Sequence, residues 1–254
     1  MGRLSDGDLR QFGKAGYLLV PGVVPEGLLR AAESEIDQVM NTVAPDEGSG
    51  GAGANLWFRP RTELPGCDGA LRRSGALDIA EELVAPFELD HAFDHIQVAT
   101  TVPPWSHVPG GPHIDGHGPD HDPPATFTLL AGILLSDQSA PGSGNLWIWP
   151  GSHLEHQRLF ADRGTRALQP SSGHPTLLVP PLDLGPGTEV RGRRGDLVLA
   201  HYLTGHNKGG NTSAHVRRTL YFRLAVPGHA ERWEDALLDP LMEFAPVRSA
   251  LSDV

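Results

Sequence analysis

The chain has 254 residues, a formal net charge of −11 and one cysteine, Cys67. The negative charge argues against general binding of nucleic acid or anionic membranes, and a lone cysteine forms no internal disulfide, so we expect a cytoplasmic protein that binds a small molecule. No stretch approaches the roughly 20 apolar residues of a membrane span, and a chain of this length commonly folds as one domain, here expected to be a monomer or homodimer.

The first third of the sequence predicts helices around one short strand. Ser5 is a residue type that caps helices, and apolar residues at helical spacing predict further helices over residues 25–43 and 69–84. The apolar, β-branched stretch YLLVPGVV at residues 17–24 predicts a strand. Glycine-rich residues 45–55 interrupt this pattern and predict a surface loop.

From Ala92 onward, short apolar segments alternate with turn residues. These segments are AFDHIQVATTV, FTLLAGILLSD, NLWIWP, TEVRGRRGDLVLAHYL and RRTLYFRLAV, and their composition is typical of strands. We therefore predict a mainly β fold with flanking helices, a sandwich or short barrel in a single domain over 1–254. The helical part would cover about 1–90, the barrel about 91–226 and a C-terminal tail 227–254.

The stretch GGPHIDGHGPDHDP, residues 110–123, concentrates histidine and aspartate in a loop rich in glycine and proline. If it is extended, His113 and Asp115 point to the same side about 6.6 Å apart, close enough to share one metal ion. Two such residues occur by chance in many loops. A metal site therefore needs a third ligand from elsewhere in the chain.

His206 is the candidate for that third ligand. It precedes the turn KGGN at residues 208–211, after which Arg217 begins another apolar segment. The returning strand would lie about 5 Å away, so Arg217 can face the same interior as His206. A buried guanidinium needs an anionic partner, and its planar fork matches a carboxylate. The pattern suggests a metal bound beside an anionic, chelating cosubstrate.

Three segments together resemble one family. They are HID at residues 113–115, GILLSDQSAPGSGNLWIWPGSH at 132–153 and HNKGGNTSAHVRR at 206–218. In order and spacing they are similar to the phytanoyl-CoA dioxygenase family of Fe(II)/2-oxoglutarate oxygenases, over roughly residues 92–224. The resemblance implies a double-stranded β-helix, a jelly-roll or cupin-like barrel, with the iron site in its mouth.

The resemblance also implies roles for individual residues. His113, Asp115 and His206 would be the catalytic iron ligands, a facial triad that leaves three positions open for 2-oxoglutarate and O2. Arg217 would bind the distal carboxylate of 2-oxoglutarate. Two further residues would assist in binding the cosubstrate, Gln97 through a contact that some members make and Thr219 through its hydroxyl.

The same resemblance favours hydroxylation. Halogenating relatives replace the triad carboxylate by Gly or Ala, whereas Asp115 is present here, so we expect hydroxylation of an unactivated C–H in a specialised metabolite or amino-acid derivative, with release of succinate and CO2. Desaturation, cyclisation or epimerisation by the same iron chemistry stay open, as do a zinc-type hydrolase and a non-catalytic metal-binding barrel. There are two departures from the family. Gly132, in place of a large residue, suggests a wider pocket or a shifted cosubstrate, and the loop 116–125 is unusually rich in His, Asp and Pro; either could reflect the choice of substrate.

Overall fold

The computed structural model describes residues 2–45, 55–59, 62–91, 96–116, 125–164, 169–171 and 174–252. Most of the predicted surface loop 45–55 and of the loop 116–125 lies outside these ranges. The helices are α1 (Asp6–Ala15), α2 (Glu26–Thr42), α3 (Pro65–Arg72), α4 (Ala76–Val84), α5 (Ser152–Arg163), α6 (Trp233–Leu238) and α7 (Ala245–Ser252). The strands are β1 (Tyr17–Val20), β2 (Asn55–Phe58), β3 (Ile96–Thr101), β4 (Ile114–Asp115), β5 (Leu129–Leu134), β6 (Leu146–Ile148), β7 (Gln169–Ser171), β8 (His174–Val179), β9 (Thr188–Glu189), β10 (Leu197–His201), β11 (His206–Lys208) and β12 (Arg217–Leu224).

Six antiparallel strands form the larger sheet, in the order β1-β10-β5-β12-β3-β2. The other strands form two groups, β11-β6-β9 and β4-β8-β7. Reciprocal backbone hydrogen bonds between His113 and His206, both 3.0 Å, join these groups and place β4 beside β11. The chain is therefore mainly antiparallel β-sheet with several helices.

Alternation along the strands divides the buried side chains into two cores. Every second residue of a strand points to the same face of the sheet. On one face of the larger sheet, the buried side chains that pack against the helices include Val98, Ile133, Leu199 and Leu220. On the other face, buried side chains join apolar residues of the smaller strand groups in a second core, including Ala99, Leu134, Val198, Tyr221, Ile114 and Ile148. This second face bears the candidate site.

The N-terminal prediction holds for the first helix and fails for the third. Ser5 caps α1, since its hydroxyl accepts from the Asp8 backbone N–H while the Asp8 carboxylate accepts from the Ser5 N–H. The single helix expected over 69–84 is two helices, α3 and α4. The break lies at Gly75, whose φ of 84° is left-handed and whose missing Cβ leaves room for the Arg3 guanidinium.

The division into a helical first part, a β part and a tail also needs correction. Strands β1 and β2 lie within the first 90 residues, yet they form the two edges of the larger sheet. The predicted tail 227–254 contains α6 and α7, and α7 packs against α1, where a Cβ on Gly13 would come within 2.8 Å of Val247. No helix in the described ranges is long and apolar enough to cross a membrane.

Candidate metal centre

The structure brings His113, Asp115 and His206 together. His113 immediately precedes β4, and Asp115 is the last residue of that strand. His206 is the first residue of β11, the strand beside it. One ligand atom from each residue lies within 4.8 Å of the other two. The Asp115 Oδ1 atom is 3.7 Å from His113 Nε2 and 3.8 Å from His206 Nε2. Among the described residues, this is the one such group of metal-binding side chains.

The donor set and its spacing fit a divalent metal ion. Bonds of about 2.1 Å at right angles place ligand atoms about 3 Å apart, so small side-chain movements close the observed gaps. His206 Nδ1 is 3.0 Å from the Thr204 carbonyl oxygen, and a hydrogen bond from Nδ1 leaves the Nε2 lone pair directed at Asp115. Two imidazoles and one carboxylate with further open positions form the ligand set of non-haem Fe(II) enzymes.

Arg223 holds the second oxygen of the Asp115 carboxylate, a contact that the sequence analysis missed. Its Nη2 donates to Asp115 Oδ2 at 2.6 Å, and its guanidinium lies 5.7 Å from the Phe127 ring centre. Burial by itself would raise the pKa of Asp115, but the charges of Arg223 and of the two histidines outweigh it and hold that pKa well below its usual range. The carboxylate is therefore ionised at neutral pH, with Oδ1 facing the histidines.

Arg217 is buried on the same inward face of β12 as Arg223, six residues earlier. It is 5% exposed and donates to the Tyr221 hydroxyl at 2.8 Å, to Gln138 Oε1 at 3.3 Å and to the Ala99 carbonyl at 3.4 Å. None of these partners carries a negative charge. A buried cation without a counterion is costly, so the site is suited to an anionic ligand.

Thr219 and Gln97 lie on the inward faces of their strands, as Arg217 does. Thr219 Oγ1 accepts a hydrogen bond of 3.0 Å from Gln138, the residue that also accepts from Arg217. Gln97 on β3 lies opposite Tyr221 on β12 and is half-buried. Gln138 thus connects two of the predicted cosubstrate residues, a role that its sequence context did not indicate.

Gly132 was expected to widen the pocket because it has no side chain, but the space beside it is filled by Tyr221. Tyr221 lies opposite it on β12, and a Cβ at Gly132 would be 2.7 Å from Tyr221 Cε1. The phenol ring therefore occupies the space that a larger residue would fill. From there its hydroxyl accepts the hydrogen bond of Arg217.

His201 and Arg218, the arginine next to Arg217, lie away from the triad. His201, five residues before His206 at the end of β10, is buried between Phe12 and Phe244, with Nε2 2.7 Å from the Pro240 carbonyl oxygen. Arg218 faces the helices, where it pairs with Asp37 at 2.8 Å. His117 and His121, in the loop 116–125, lie outside the described residues.

Comparison with known proteins gives one family and a set of similar structures. Residues 12–219 match the family model described as phytanoyl-CoA dioxygenase (PhyH). No curated protein sequence matches the chain.

Three solved structures show the same fold. The epimerase SnoN, in complex with Fe3+, alpha ketoglutarate and nogalamycin RO, is 19% identical with a TM-score of 0.61, over 87% of this chain and 85% of SnoN. The carbocyclase SnoK from nogalamycin biosynthesis is 22% identical with a TM-score of 0.59, over 88% and 84%. HygX from Streptomyces hygroscopicus, with nickel and 2-oxoglutarate bound, is 19% identical with a TM-score of 0.58, over 87% of each chain.

Proposed function

Because the chain belongs to the phytanoyl-CoA dioxygenase family and is therefore an iron- and 2-oxoglutarate-dependent enzyme, we propose that it hydroxylates an unactivated C–H of a small molecule at a centre formed by His113, Asp115 and His206. The observation that carries this proposal is the position of the buried Asp115 Oδ1 atom, which faces both imidazole Nε2 atoms at 3.7 and 3.8 Å. Its other oxygen is held by Arg223.

Each residue of the site has a separate task. When bound, iron and 2-oxoglutarate would activate O2, which is the oxidant: one oxygen atom would enter succinate as 2-oxoglutarate loses CO2, and the other would enter the substrate as a hydroxyl. The triad would hold the metal and leave positions open to the cosubstrate and O2. Arg217 binds the distal carboxylate of 2-oxoglutarate, while Gln138 and Tyr221 fix its guanidinium. Thr219 and Gln97 border the cosubstrate on the same sheet face.

The substrate class that we propose is a specialised metabolite, with an amino-acid derivative as the simpler alternative. Structural neighbours include a complex of SnoN with nogalamycin RO and a complex of HygX with hygromycin B. Because SnoN is an epimerase and SnoK a carbocyclase, epimerisation or ring closure is a second candidate reaction for this centre. We further propose that the two strand groups and the larger sheet form a double-stranded β-helix, in a cytoplasmic monomer or homodimer.

The environment of Arg217 favours this proposal over a zinc-type hydrolase. A hydrolytic centre needs the metal and a water molecule, and it has no use for a buried guanidinium on the next strand along the chain. Here that guanidinium contacts only uncharged partners among the described residues. A dicarboxylate that binds the metal through one end would neutralise it through the other.

Anaerobic titration with Fe(II) and then 2-oxoglutarate tests this function. We expect a visible charge-transfer band when 2-oxoglutarate chelates the iron. In Arg217→Met the half-saturating 2-oxoglutarate concentration should rise by at least about tenfold, because a charged hydrogen-bonded pair is lost. Arg218→Met is the matched control, since Arg218 adjoins Arg217 but pairs with Asp37 on the helical face. Iron binding without the band would contradict the proposal.

A further inference from the structure

Lys208 shares the inward face of β11 with His206. Residues two apart on a strand point to the same side, about 6.6 Å from each other along the chain, so Lys208 lies next to the metal ligand. The side chain is half-buried, and its Nζ atom is 4.9 Å from the ring centre of Trp57 on β2. The ammonium group therefore lies between β11 and the inward face of the larger sheet.

No acidic partner balances this charge among the described residues. Among the contacts of the described residues, the Lys208 ammonium faces the Trp57 ring and no carboxylate. The charge of Lys208 also reaches His107, whose pKa is lowered first by burial and then by this charge. In a chain with a net charge of −11, a half-buried cation without a carboxylate is unusual. It is suited to an anion from outside the protein.

Asn55 provides a second, independent indication of a ligand. It lies two residues before Trp57 on the same face of β2 and is 1% exposed, yet neither its amide oxygen nor its amide nitrogen has a hydrogen-bond partner among the residues that the structure describes. Its register neighbours are Thr101 on β3 and then Arg217 on β12. Buried amides without partners are rare in native proteins, and a ligand that accepts a hydrogen bond would satisfy the nitrogen of this one.

The Trp105–His107 segment lies close to Lys208 and carries two stacked aromatic rings. The two rings stack with centres 4.6 Å apart and planes 3° apart. Backbone hydrogen bonds from Gly210 to His107 and between Asn211 and Trp105 tie this segment to the turn that follows β11. A ligand held by Lys208 would thus meet flat aromatic surfaces at Trp57 and Trp105.

We propose that Lys208, Trp57 and Asn55 form a subsite for a carboxylate group of the substrate, beside the metal centre. The inference rests on the proposed function, in which Arg217 already binds the distal carboxylate of 2-oxoglutarate and leaves Lys208 for a second acid. Lys208 pairs with the carboxylate, Asn55 donates to it, and Trp57 contacts the adjoining apolar part. The substrate class is accordingly a small carboxylic acid with an aromatic or other planar apolar body.

The lysine content of the chain allows a direct test. The chain has two lysines, Lys208 and the exposed Lys14 on α1. Dimethylation with isotope-labelled formaldehyde therefore adds two side-chain NMR signals and keeps both positive charges. Lys14→Arg and Lys208→Arg assign them. On protein loaded with Zn(II) and 2-oxoglutarate, benzoate should shift the Lys208 signal saturably and leave the Lys14 signal in place. On unmethylated protein, Lys208→Met should weaken benzoate binding at least about tenfold, with Lys14→Met as control.

The outcomes separate the possible sources of the anion. If 2-oxoglutarate alone shifts the Lys208 signal and benzoate then has no effect, the carboxylate belongs to the cosubstrate and the substrate assignment is overturned. If neither acid moves the Lys208 signal more than the Lys14 signal, no anion subsite exists. Failure of the proposed function would instead appear as a missing charge-transfer band with Fe(II) and 2-oxoglutarate, whatever the lysine signals do.

Discussion

At the scale of single residues, the Asp115 carboxylate has two oxygens with different partners. Oδ1 faces the two histidines, and Oδ2 accepts from Arg223 at 2.6 Å. A carboxylate whose second oxygen is occupied binds a metal through one oxygen and leaves more positions open. In the proposed centre Arg223 would therefore be a positioning residue, since it would act on the metal through Asp115.

Arg223→Met should therefore impair cosubstrate binding more than metal binding. Without the guanidinium, both Asp115 oxygens can bind the metal and occupy a position that 2-oxoglutarate needs. We expect about tenfold weaker 2-oxoglutarate binding in the charge-transfer titration and an altered visible spectrum of the Co(II)-substituted protein. Arg223→Lys should restore part of the affinity. An unchanged Co(II) spectrum in Arg223→Met would refute this role.

The close contact between Gly132 and the Tyr221 ring leads to a second prediction for single residues. A Cβ at position 132 would come within 2.7 Å of the Tyr221 ring, whose hydroxyl holds Arg217. Gly132→Ala should displace the ring, destabilise the protein by about 1–3 kcal/mol and weaken 2-oxoglutarate binding. Urea unfolding and the charge-transfer titration measure the two effects. Gly27→Ala on α2, where a Cβ meets nothing within 4 Å, is the control, and equal behaviour of the two variants would count against the argument.

At the scale of elements, the break between α3 and α4 shows where periodicity is insufficient. Apolar spacing continues across residues 69–84, but Gly75 adopts a φ of 84° and the Ser74 hydroxyl accepts from the Ala76 N–H at 3.1 Å. Gly75→Ala should lower the free energy of unfolding by about 1–2 kcal/mol, because an L-residue is strained there and its Cβ would meet Arg3 at 2.5 Å. Thermal or urea unfolding checks this, and a stabilised variant would show that a continuous helix is preferred.

Local spacing explains how much of the site could be predicted. The pair His113 and Asp115 and the interval from His206 to Arg217 are visible in the sequence, because the members of each pair lie within a short stretch of the chain. Arg223 is not visible in this way, since its partner Asp115 is 108 residues away.

Contacts between strands that are distant in the sequence could likewise not be predicted from local sequence patterns. Lys208 meets Trp57 through strands that are distant in sequence, and β2 is four residues beside a glycine-rich stretch. The mainly β fold with flanking helices was predicted in outline, because strand composition and helix periodicity are local signals. The edge positions of β1 and β2 depend on long-range pairing that composition does not encode.

At the scale of the whole molecule, buried histidines couple folding to pH. Burial lowers the pKa of His153 and of His156 to about 4, and the pKa of His201 lies well below its ordinary value for the same reason. These groups bind protons more readily in the unfolded chain. Their stabilising contribution is therefore complete above about pH 6.5 and is lost as the pH falls toward 4.

The free energy of unfolding, measured by urea denaturation, should thus decrease from pH 7 to pH 4.5, with His153 alone contributing about 2 kcal/mol to the loss. His153→Gln removes one of these groups, so its stability should fall less steeply over the same range even if the variant is less stable at pH 7. The comparison of slopes isolates the titration of His153 from the packing that the substitution disturbs. Equal slopes would mean that His153 binds its proton equally well in the folded and unfolded chains, contrary to its burial against the Gly13 carbonyl.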